Sequence, residues 1–424
     1  MLFLASCGSQ SSTSSCSVAS FSATTLPNVG SSGSNPNVMS VTVNGTLCGN
    51  AAYQYPNEPC VSVKVCSPSQ PSNCQTISNL LLDTGSYGLR IFSNVLTVPL
   101  TPITQGSQSL AECVQYGDGS SQWGQVEYAY VQLGNEPFVN MPILVINSSY
   151  ATPPAACSSS QSTPDTSPEQ AGFNGILGVG LFAQDCGSDC VSDSGNGQYF
   201  TCNGSDCSCG ATVALAAQVQ NPVALLPTDN NGVLLSLPSV GSSSGVASLT
   251  GSLFLGIGTQ SNNTPSGQTP PVTAVYATDS SGNISTVFSA YSSHAMPSFI
   301  DSGSNGIFFP APTGGQLPDC STSYGSSWAG AFCPSTVQSF SATNYSTSGS
   351  PSGSVSFQVG NDYSLLTSSN NVFNDYGSNI LSGSTNLSSS ASFDWGLPFF
   401  FGKNVFVGID GASSSLGIGP YWAY

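Results

Sequence analysis

Short runs of apolar, β-branched and aromatic residues recur from about residue 38 to the end of the chain. Glycine, asparagine, proline or serine cuts each run off, as in VSVKV (61–65), MPILVI (141–146) and NVFVGI (404–409). Runs of this length with such boundaries are typical of β-strands. The best candidate for an amphipathic helix is ATVALAAQVQ, Ala211 to Gln220. The pattern therefore predicts a mostly-β protein with few helices.

One of the apolar runs contains an aspartate, and it occurs twice. LLLDTGSYGLRIF (80–92) and SFIDSGSNGIFFP (298–310) align when Asp301 is placed on Asp83. Both have apolar residues, then aspartate, a small hydroxyl residue, glycine and serine, then any residue, glycine and a further apolar run. Two copies about half a chain apart predict a duplicated lobe.

The chain also contains an internal control for this pattern. Asp193-Ser194-Gly195 repeats the three central residues but has neither the preceding apolar strand nor the following apolar run. The tripeptide alone is therefore weak, and the strand context carries the information.

Two aspartates that end buried strands and face each other across a twofold relation form a pair that shares one proton. Like charges about 3 Å apart resist a second ionisation. The charged member can accept a proton from water while the neutral one donates to a substrate carbonyl. Which aspartate acts as base is a property of the pair and stays open. The catalytic candidates are Asp83 and Asp301, and the residues that would support them with amides and hydroxyls are Thr84, Gly85, Ser86, Ser302, Gly303 and Ser304.

Four further motifs occur in the order found in pepsin-like aspartic endopeptidases, which the chain resembles over roughly residues 40–424. QYGDGS (115–120) resembles the tip of the flap, the hairpin that closes over substrate. FNGILGVG (173–180) resembles the apolar-apolar-glycine segment beside the first aspartate loop. GSLFLGIG (251–258) resembles an early strand of the second lobe, and residues 395–420 match the C-terminal segment.

The resemblance implies a mostly-β, bilobal pepsin-like fold with pseudo-twofold lobes, at about 38–215 and 216–424, around a central cleft. It implies hydrolysis of an extended polypeptide by a water molecule, with no metal or other cofactor, in a protein that we expect to be a monomer. The flap residues would be Tyr116, Gly117 and Asp118. Two alternatives are a non-catalytic protein or glycan binder on the same fold, and a cell-surface structural protein.

The chain departs from the family at several places. Arg90 stands where a tryptophan usually bonds the flap tyrosine, and we interpret it as a solvated or loop-bonding cation rather than a catalytic one. A cation there would lower the pKa values of the pair. We expect the second apolar-apolar-glycine element near residues 396–398, with Pro398 in the glycine position. No basic pro-segment is visible, and His294 is assigned no role.

Charged residues make up only 5% of the chain, and Lys64, Arg90 and Lys403 are its only Lys or Arg residues, against 20 acids. A nucleic-acid binder needs many more cations to neutralise phosphates, and a basic membrane-surface helix is excluded for the same reason. With few ion pairs to lose, the fold should tolerate low pH. Drift of an extracellular protein towards serine and glycine is the alternative explanation.

The chain starts MLFLASC, where residues 4–7 resemble a bacterial lipobox with Cys7 as the lipidated residue. The apolar stretch is short and lacks a basic region, so the true start lies upstream or the match is chance. We predict a partial lipoprotein signal (1–7), a serine-rich tether (8–37) and a lipid-anchored protein exported to the bacterial cell envelope.

Without Cys7, 14 cysteines remain, an even number that predicts several disulfides in an oxidising compartment. The cluster at 186, 190, 202, 207 and 209 also has the density of a zinc site, but it has no histidine nearby, so disulfides are preferred. Asp185, Asp189 and Asp193 are a weaker candidate for calcium, because their spacing is irregular.

Overall fold

The structure is a computed structural model, and it describes residues 19–22, 35–49, 55–241, 244–381 and 391–424. Strands make up 43% of it and helices 11%, so the prediction of a mostly-β protein is confirmed. The first fifteen strands are β1 (Ser20–Phe21), β2 (Val38–Asn44), β3 (Glu58–Cys66), β4 (Cys74–Asp83), β5 (Tyr87–Phe92), β6 (Thr101–Pro102), β7 (Thr104–Gln105), β8 (Gln108–Gln115), β9 (Ser120–Leu133), β10 (Val139–Ile146), β11 (Thr163–Pro164), β12 (Gly175–Val179), β13 (Tyr199–Asn203), β14 (Asp206–Gly210) and β15 (Thr212–Val213).

Fourteen further strands follow in the described part of the second half. They are β16 (Gly232–Leu237), β17 (Leu249–Leu255), β18 (Val275–Ala277), β19 (Ile284–Val287), β20 (Met296–Ile300), β21 (Ile307–Phe309), β22 (Gln338–Tyr345), β23 (Ser352–Val359), β24 (Gly377–Asn379), β25 (Phe393–Trp395), β26 (Lys403–Gly408), β27 (Ser413–Ser414), β28 (Gly417–Ile418) and β29 (Tyr421–Ala423).

The helices are short. The α-helices are α1 (Pro168–Ala171), α2 (Ser188–Ser192), α3 (Ser321–Tyr324) and α4 (Asp362–Leu366), and the 3-10 helices are Thr46–Cys48, Ser93–Val95, Ala155–Cys157, Leu215–Ala217, Pro222–Leu225, Pro265–Gly267, Ser326–Trp328 and Leu397–Phe399. No helix among the described residues is long and apolar enough to cross a membrane.

The predicted helix over 211–220 is wrong. This segment forms β15 and a single 3-10 turn instead. The Gln218 side chain donates to the carbonyl oxygens of Gly187 and Val213 at 2.8 and 3.0 Å and accepts from the Gly187 amide at 2.8 Å. Because a side chain satisfies these backbone groups, the segment has no need of helical hydrogen bonds there.

Two large sheets carry the fold. The large sheet contains β2–β14, β16–β18, β26 and β29, and the second sheet has seven strands in the order β23-β22-β19-β20-β25-β21-β24. Strands from both sides of the predicted lobe boundary pair in the large sheet, since β2 pairs antiparallel with β17. The boundary at 215/216 itself falls within the 3-10 helix Leu215–Ala217. The division into two lobes stays a prediction.

The same arrangement of four strands occurs once in each sheet. In the large sheet β12 lies between β4, to which it is parallel, and β5, to which it is antiparallel, and β10 runs parallel to β5 on its other side. In the seven-stranded sheet β25 lies between β20 and β21 with the same directions, and β24 is parallel to β21. The duplicated sequence motif therefore corresponds to a duplicated strand arrangement, and β4 and β20 each lead into an aspartate loop.

A continuous hydrophobic core extends through both sheets and includes Leu82 and Leu177 from the large sheet. In the seven-stranded sheet the core is aromatic, with ring centroids of Phe288 and Phe309 5.3 Å apart in an edge-to-face arrangement. Such aromatic pairs contribute about 1 kcal/mol each beyond the burial of their area. Trp395 anchors β25 in this core, and its indole N–H donates to Asn344 Oδ1 at 3.0 Å.

Six disulfides join cysteines of the described residues, as the even cysteine count predicts. The pairs are Cys48–Cys60, Cys66–Cys74, Cys113–Cys157, Cys186–Cys190, Cys202–Cys207 and Cys320–Cys333. Four cysteines of the suspected zinc cluster are thus already bonded in pairs. This many disulfides indicates an extracellular or exported protein. Cys7, the predicted lipidation site, lies outside the described residues.

The three aspartates weighed as a calcium site do not form one cluster. Asp185 pairs with Arg90 at 2.9 Å. Asp193 accepts from the Gly195 amide at 2.7 Å in its own exposed turn. Asp189 lies in the first turn of α2. Each carboxylate is therefore accounted for by its local surroundings.

Candidate active site

The two aspartate loops are locked together by reciprocal hydrogen bonds. The amide of Ser302 donates to Thr84 Oγ1 at 2.9 Å, and the amide of Thr84 donates to Ser302 Oγ at 3.1 Å. Each hydroxyl then donates across the junction, Thr84 to the carbonyl of Ile300 at 3.0 Å and Ser302 to that of Leu82 at 2.7 Å. Four buried hydrogen bonds thus fix the end of β4 against the end of β20. This explains why both copies need a small hydroxyl residue after the aspartate.

Each aspartate is held by one backbone amide and one serine hydroxyl. The amide two residues after the aspartate donates to its Oδ1 at 2.7 Å in both loops, and the hydroxyl three residues after it donates to Oδ2. The donors are Gly85 and Ser86 for Asp83, and Gly303 and Ser304 for Asp301. The six support residues thus lie where the sequence places them, and the two loops are copies in atomic detail.

The two carboxyl groups are buried and adjacent. Asp83 and Asp301 are both fully inaccessible to solvent. Burial raises the pKa of Asp83 well above its usual range, and the charge of Asp301 and a hydrogen bond to it raise that pKa further. A Cβ atom at Gly303 would lie 2.6 Å from Asp83 Oδ1 and 3.2 Å from Asp301 Oδ1. Only glycine therefore fits between the carboxyl groups, and their burial and closeness favour a bound proton on Asp83.

A glycine beside each loop lets a neighbouring strand pass close by. Gly178 pairs with Asp83 in the parallel ladder of β12 and β4, and a Cβ atom there would lie 2.6 Å from the amide nitrogen of Tyr87. In the second copy Gly396 continues β25 beside Asp301, and a Cβ atom there would collide with the carbonyl oxygen of Gly306.

The prediction that Pro398 occupies this glycine position is wrong, because Gly396 occupies it. Pro398 lies two residues later, at the start of the 3-10 helix Leu397–Phe399. An N–H is not needed for internal bonding in a first helical turn, so proline is tolerated there. The register was missed because Asp394-Trp395 precedes Gly396 where the motif would have two apolar residues.

The predicted flap is the hairpin of β8 and β9. Its turn is closed by hydrogen bonds from the Tyr116 amide to the Ser120 carbonyl and from the Gly119 amide to the Tyr116 carbonyl, both 3.0 Å. The carboxylate of Asp118 accepts from the amide and the hydroxyl of Ser120 at 2.8 and 2.7 Å. Gly117 lies between Tyr116 and Asp118 in the same turn. Asp118 therefore shapes the tip of the hairpin.

Tyr116 points inward from this turn and is only 3% exposed. Its hydroxyl donates to Gln122 Oε1 at 2.9 Å, and the Gln122 amide donates to Asp165 Oδ2 at 3.0 Å. Burial raises the pKa of Tyr116; the charge of Arg90 opposes this rise, and that of Asp83 adds to it. The hairpin tip and the first aspartate are thus electrostatic neighbours.

Comparison with known families adds one match. The model of the family described as "Protein of unknown function (DUF3443)" matches residues 33–424. The chain belongs to this family. No curated protein matches the chain.

In this DUF3443 protein Arg90 is not a solvated cation, because it is fully buried. Its guanidinium pairs with Glu112 at 3.2 Å and with Asp185 at 2.9 Å, and it donates to the Tyr87 carbonyl at 2.6 Å. The interpretation as a loop-bonding residue therefore agrees with the structure. The expected lowering of the pKa of Asp83 is wrong, since that pKa is raised. Glu112 and Asp185 balance the positive charge of Arg90. Neither acid could be predicted as its partner from the sequence, because both lie far from Arg90 along the chain.

Beside the first loop lies a cavity of about 270 Å³. Tyr87 and Phe182 form part of its wall, with their rings edge-to-face and 5.3 Å apart. Its lining also includes Thr84, Gly85, Leu181, Asp185, Ser281, Gly282, Phe299 and Trp422, so both halves of the chain contribute. A mostly apolar recess next to a carboxyl pair suits an apolar side chain.

Sequence reasoning missed Tyr55. Its hydroxyl donates to the carbonyl of Gly303, inside the second aspartate loop, and its ring packs edge-to-face on Phe173 at 6.2 Å. Burial raises the pKa of Tyr55, and the charges of Glu58, Asp301 and Asp83 raise it further. No motif surrounds this residue in the sequence, so only the fold reveals that it adjoins the carboxyl pair. His294 is exposed, with its ring 3.3 Å from the Ser292 hydroxyl, as expected of a loop residue.

Proposed function

We propose that this protein is an aspartic endopeptidase that hydrolyses peptide bonds with a water molecule activated by Asp83 and Asp301. The observation that carries the proposal is the matched pair of loops, joined by reciprocal hydrogen bonds between Thr84 and Ser302. A turn that merely ends a strand has no need of a second copy locked against it. Two buried carboxyl groups in such a frame share one proton, which acid-base catalysis of this type requires.

A bilobal, pepsin-like architecture is part of this proposal. The duplicated arrangement β4-β12-β5-β10 and β20-β25-β21-β24 supports it, because both copies have the same strand directions and lead into equivalent loops. The carboxyl pair would lie at the junction of the lobes, which is a common position for binding sites.

The chemistry follows from the protonation that burial favours. We assign the shared proton to Asp83, because burial and the neighbouring carboxyl group raise its pKa, and the role of base to Asp301. Asp301 takes a proton from a water whose oxygen bonds to the peptide carbonyl carbon, while Asp83 donates its proton to the carbonyl oxygen. The tetrahedral diol then breaks: Asp301 donates its new proton to the amide nitrogen, the electrons of the carbon–nitrogen bond move to that nitrogen, and Asp83 takes a proton from one of the two diol hydroxyls. A carboxylic acid and an amine leave, and the pair again holds one proton.

The substrate would be an extended polypeptide lying between the carboxyl pair and the hairpin tip at Tyr116. The recess lined by Tyr87, Phe182 and Phe299 favours an apolar side chain next to the cleaved bond. The disulfides are consistent with an enzyme that acts outside the cytoplasm. Anchoring through a lipid on Cys7 and a monomeric state both stay predictions.

One observation favours the alternative of a non-catalytic binding protein on the same fold. Asp83 and Asp301 are fully buried, and Tyr55 engages the Gly303 carbonyl beside them. Catalysis requires that substrate and water reach both carboxyl groups, so this region must open for turnover. A binder would have no such requirement.

The test is cleavage of a denatured protein substrate across pH 3 to 7 by the wild type, Asp83→Asn, Asp301→Asn and Asp193→Asn. The last variant is a matched control, because Asp193 precedes a serine and a glycine in an exposed turn without a partner loop. We expect the wild type and Asp193→Asn to cleave equally. Asp83→Asn and Asp301→Asn should each lose at least about a hundredfold in kcat, the scale of general acid-base catalysis.

Binding of a statine-type transition-state mimic separates the alternatives further. The endopeptidase should bind the mimic, and Asp83→Asn should bind it much more weakly. Equal activity, or equal inactivity, of the wild type, Asp83→Asn and Asp301→Asn would refute the proposal. Binding of intact polypeptide without cleavage would favour the binder.

A further inference from the structure

A third buried carboxyl group, that of Asp394, lies beside the pair. Asp394 is the middle residue of β25, where it pairs with Phe299 of β20 and with Phe308 of β21. Its neighbours in sequence, Phe393 and Trp395, belong to the aromatic core, so alternation turns Asp394 to the opposite face of the sheet. It is fully inaccessible to solvent.

The duplicated strand arrangement shows that this acid is specific to the second copy. Asp394 pairs with Phe308, seven residues after Asp301. In the first copy Ile176 pairs with Arg90, seven residues after Asp83. Ile176 is therefore the counterpart of Asp394. A strand that is apolar at this position in one copy carries a carboxyl group in the other.

Neither carboxyl oxygen of Asp394 has a hydrogen-bond partner of ordinary geometry among the described residues. The Ser304 hydroxyl is close enough to affect the pKa of this carboxyl group. That hydroxyl, however, donates its hydrogen bond to Asp301 Oδ2 at 2.7 Å. The backbone ties the two residues together, because the amide of Leu397 donates to the Ser304 carbonyl at 2.7 Å. The group within reach of Asp394 is thus a hydroxyl oxygen that can accept a hydrogen bond.

The protonation state of Asp394 follows from its surroundings. Burial raises its pKa well above the usual range, and the charges of Asp301 and Asp83 raise it further, whereas Ser304 opposes the rise. The residues paired with it on β20 and β21 are phenylalanines and bring no charge. The neutral, protonated form of Asp394 is therefore favoured, and a neutral acid has an O–H to donate.

We propose that Asp394 is a positioning residue of the carboxyl pair, an inference that rests on the proposed function. Its O–H donates to Ser304 Oγ, so the Ser304 proton is held on Asp301 Oδ2. This relay of two hydrogen bonds stabilises the negative charge on Asp301 and leaves the shared proton on Asp83. Ionisation of Asp394 at higher pH removes the donor and adds a negative charge near the pair.

The experiment follows the carboxyl carbons of ¹³C-labelled aspartates by NMR from pH 3 to 8. Signals of the pair are assigned by their loss in Asp83→Asn and Asp301→Asn. Asp394→Ile, which copies Ile176 of the first copy, should raise the lower apparent pKa of the pair by about one unit, since one hydrogen bond to an ionised group has about this effect. Asp394→Asn keeps a donor and should return this pKa towards the wild-type value. Asp193→Asn should leave it unchanged.

The same proteins are assayed for cleavage. The acidic limb of the kcat/KM profile should move up by about one pH unit in Asp394→Ile, and the basic limb should move up in Asp394→Asn. The melting temperature separates this from damage to the fold, because isoleucine replaces a buried polar group by an apolar one of similar size and should not lower it.

The outcomes distinguish the two proposals. A wild type that cleaves, with the same titration of the pair in Asp394→Ile, would overturn the role of Asp394 and leave the endopeptidase intact. A wild type that does not cleave, with a shifted titration, would sustain the relay and refute the function. A shift of the same size in Asp394→Asn as in Asp394→Ile would also overturn the relay, because the asparagine keeps the donor.

Discussion

Replacing Asp165 by asparagine should remove much of the stability that the protein gains in acid. Asp165 follows β11 and is 5% exposed, and its Oδ2 accepts from Gln122, which in turn holds the Tyr116 hydroxyl. Burial raises its pKa to about 7, against the lowering effect of the bond from Gln122. Asparagine has nearly the same shape and keeps an oxygen acceptor, but it does not titrate.

The sign of the effect follows from where the proton binds. Between the pKa of the unfolded chain, about 4, and the folded value, about 7, the native protein holds a proton that the unfolded chain has released. The native state is therefore favoured fully below about pH 4, and this advantage is lost as pH rises through 7. A difference of about three pKa units corresponds to about 4 kcal/mol.

The assay is guanidinium unfolding at pH 4, 5.5, 7 and 8 with the disulfides intact, followed by tryptophan fluorescence. The free energy of unfolding of the wild type minus that of Asp165→Asn should fall by about 4 kcal/mol from pH 4 to pH 8. Glu169→Gln is the control, because this carboxyl group is exposed on the neighbouring helix α1. A constant difference between the wild type and Asp165→Asn over this range would refute the assignment of the raised pKa to this residue.

Two further predictions concern the frame of the site. Gly396→Ala should lower the free energy of unfolding by about 1–3 kcal/mol, because its methyl group would collide with the Gly306 carbonyl, whereas Gly241→Ala, which meets nothing within 4 Å, should be neutral in the same unfolding assay. Arg90→Met should cost about 3–5 kcal/mol at pH 7, since it leaves two acids buried without their cation. The cost should be smaller at pH 4, because burial raises the pKa of Asp185 and favours its neutral form in acid; an equal loss at both pH values would contradict the ion-pair explanation.

The sequence was sufficient for the parts of the site that are local. Asp83 and Asp301 could be located because both follow an apolar strand and precede small residues that a tight, amide-lined loop requires. The hydroxyls of Thr84 and Ser302 were expected to hold their loops, but the sequence does not show that each binds the opposite loop. That pairing depends on contacts more than 200 residues apart along the chain.

The errors arose where a partner distant in sequence decides the outcome. Pro398 was placed on the glycine position because apolarity was used to set the register, and Asp394 interrupts the apolar run. Arg90 was interpreted without its partners, which come from β8 and from the loop before α2. The predicted helix at 211–220 failed for a related reason, because Gln218 satisfies backbone groups of a segment about thirty residues earlier.

The scarcity of cations has a structural counterpart in how the protein neutralises its buried acids. Within the described part of the chain both ion pairs belong to Arg90, so most buried carboxyl groups have no cation partner. Burial instead raises their pKa values and favours their neutral, protonated form; these acids are Glu58, Asp83, Asp165, Asp362 and Asp394.

Tolerance of acid was expected because there are few ion pairs to lose. The structure favours a stronger form of that expectation, because protonated carboxyl groups make the native state more stable as pH falls. Each such group contributes stability that is present below the pKa of the unfolded chain and lost as pH rises through the folded value. Two of these groups, Asp83 and Asp394, also belong to the proposed mechanism, which requires both of them to be protonated. Stability and the proposed activity should therefore decline together as the solution becomes alkaline.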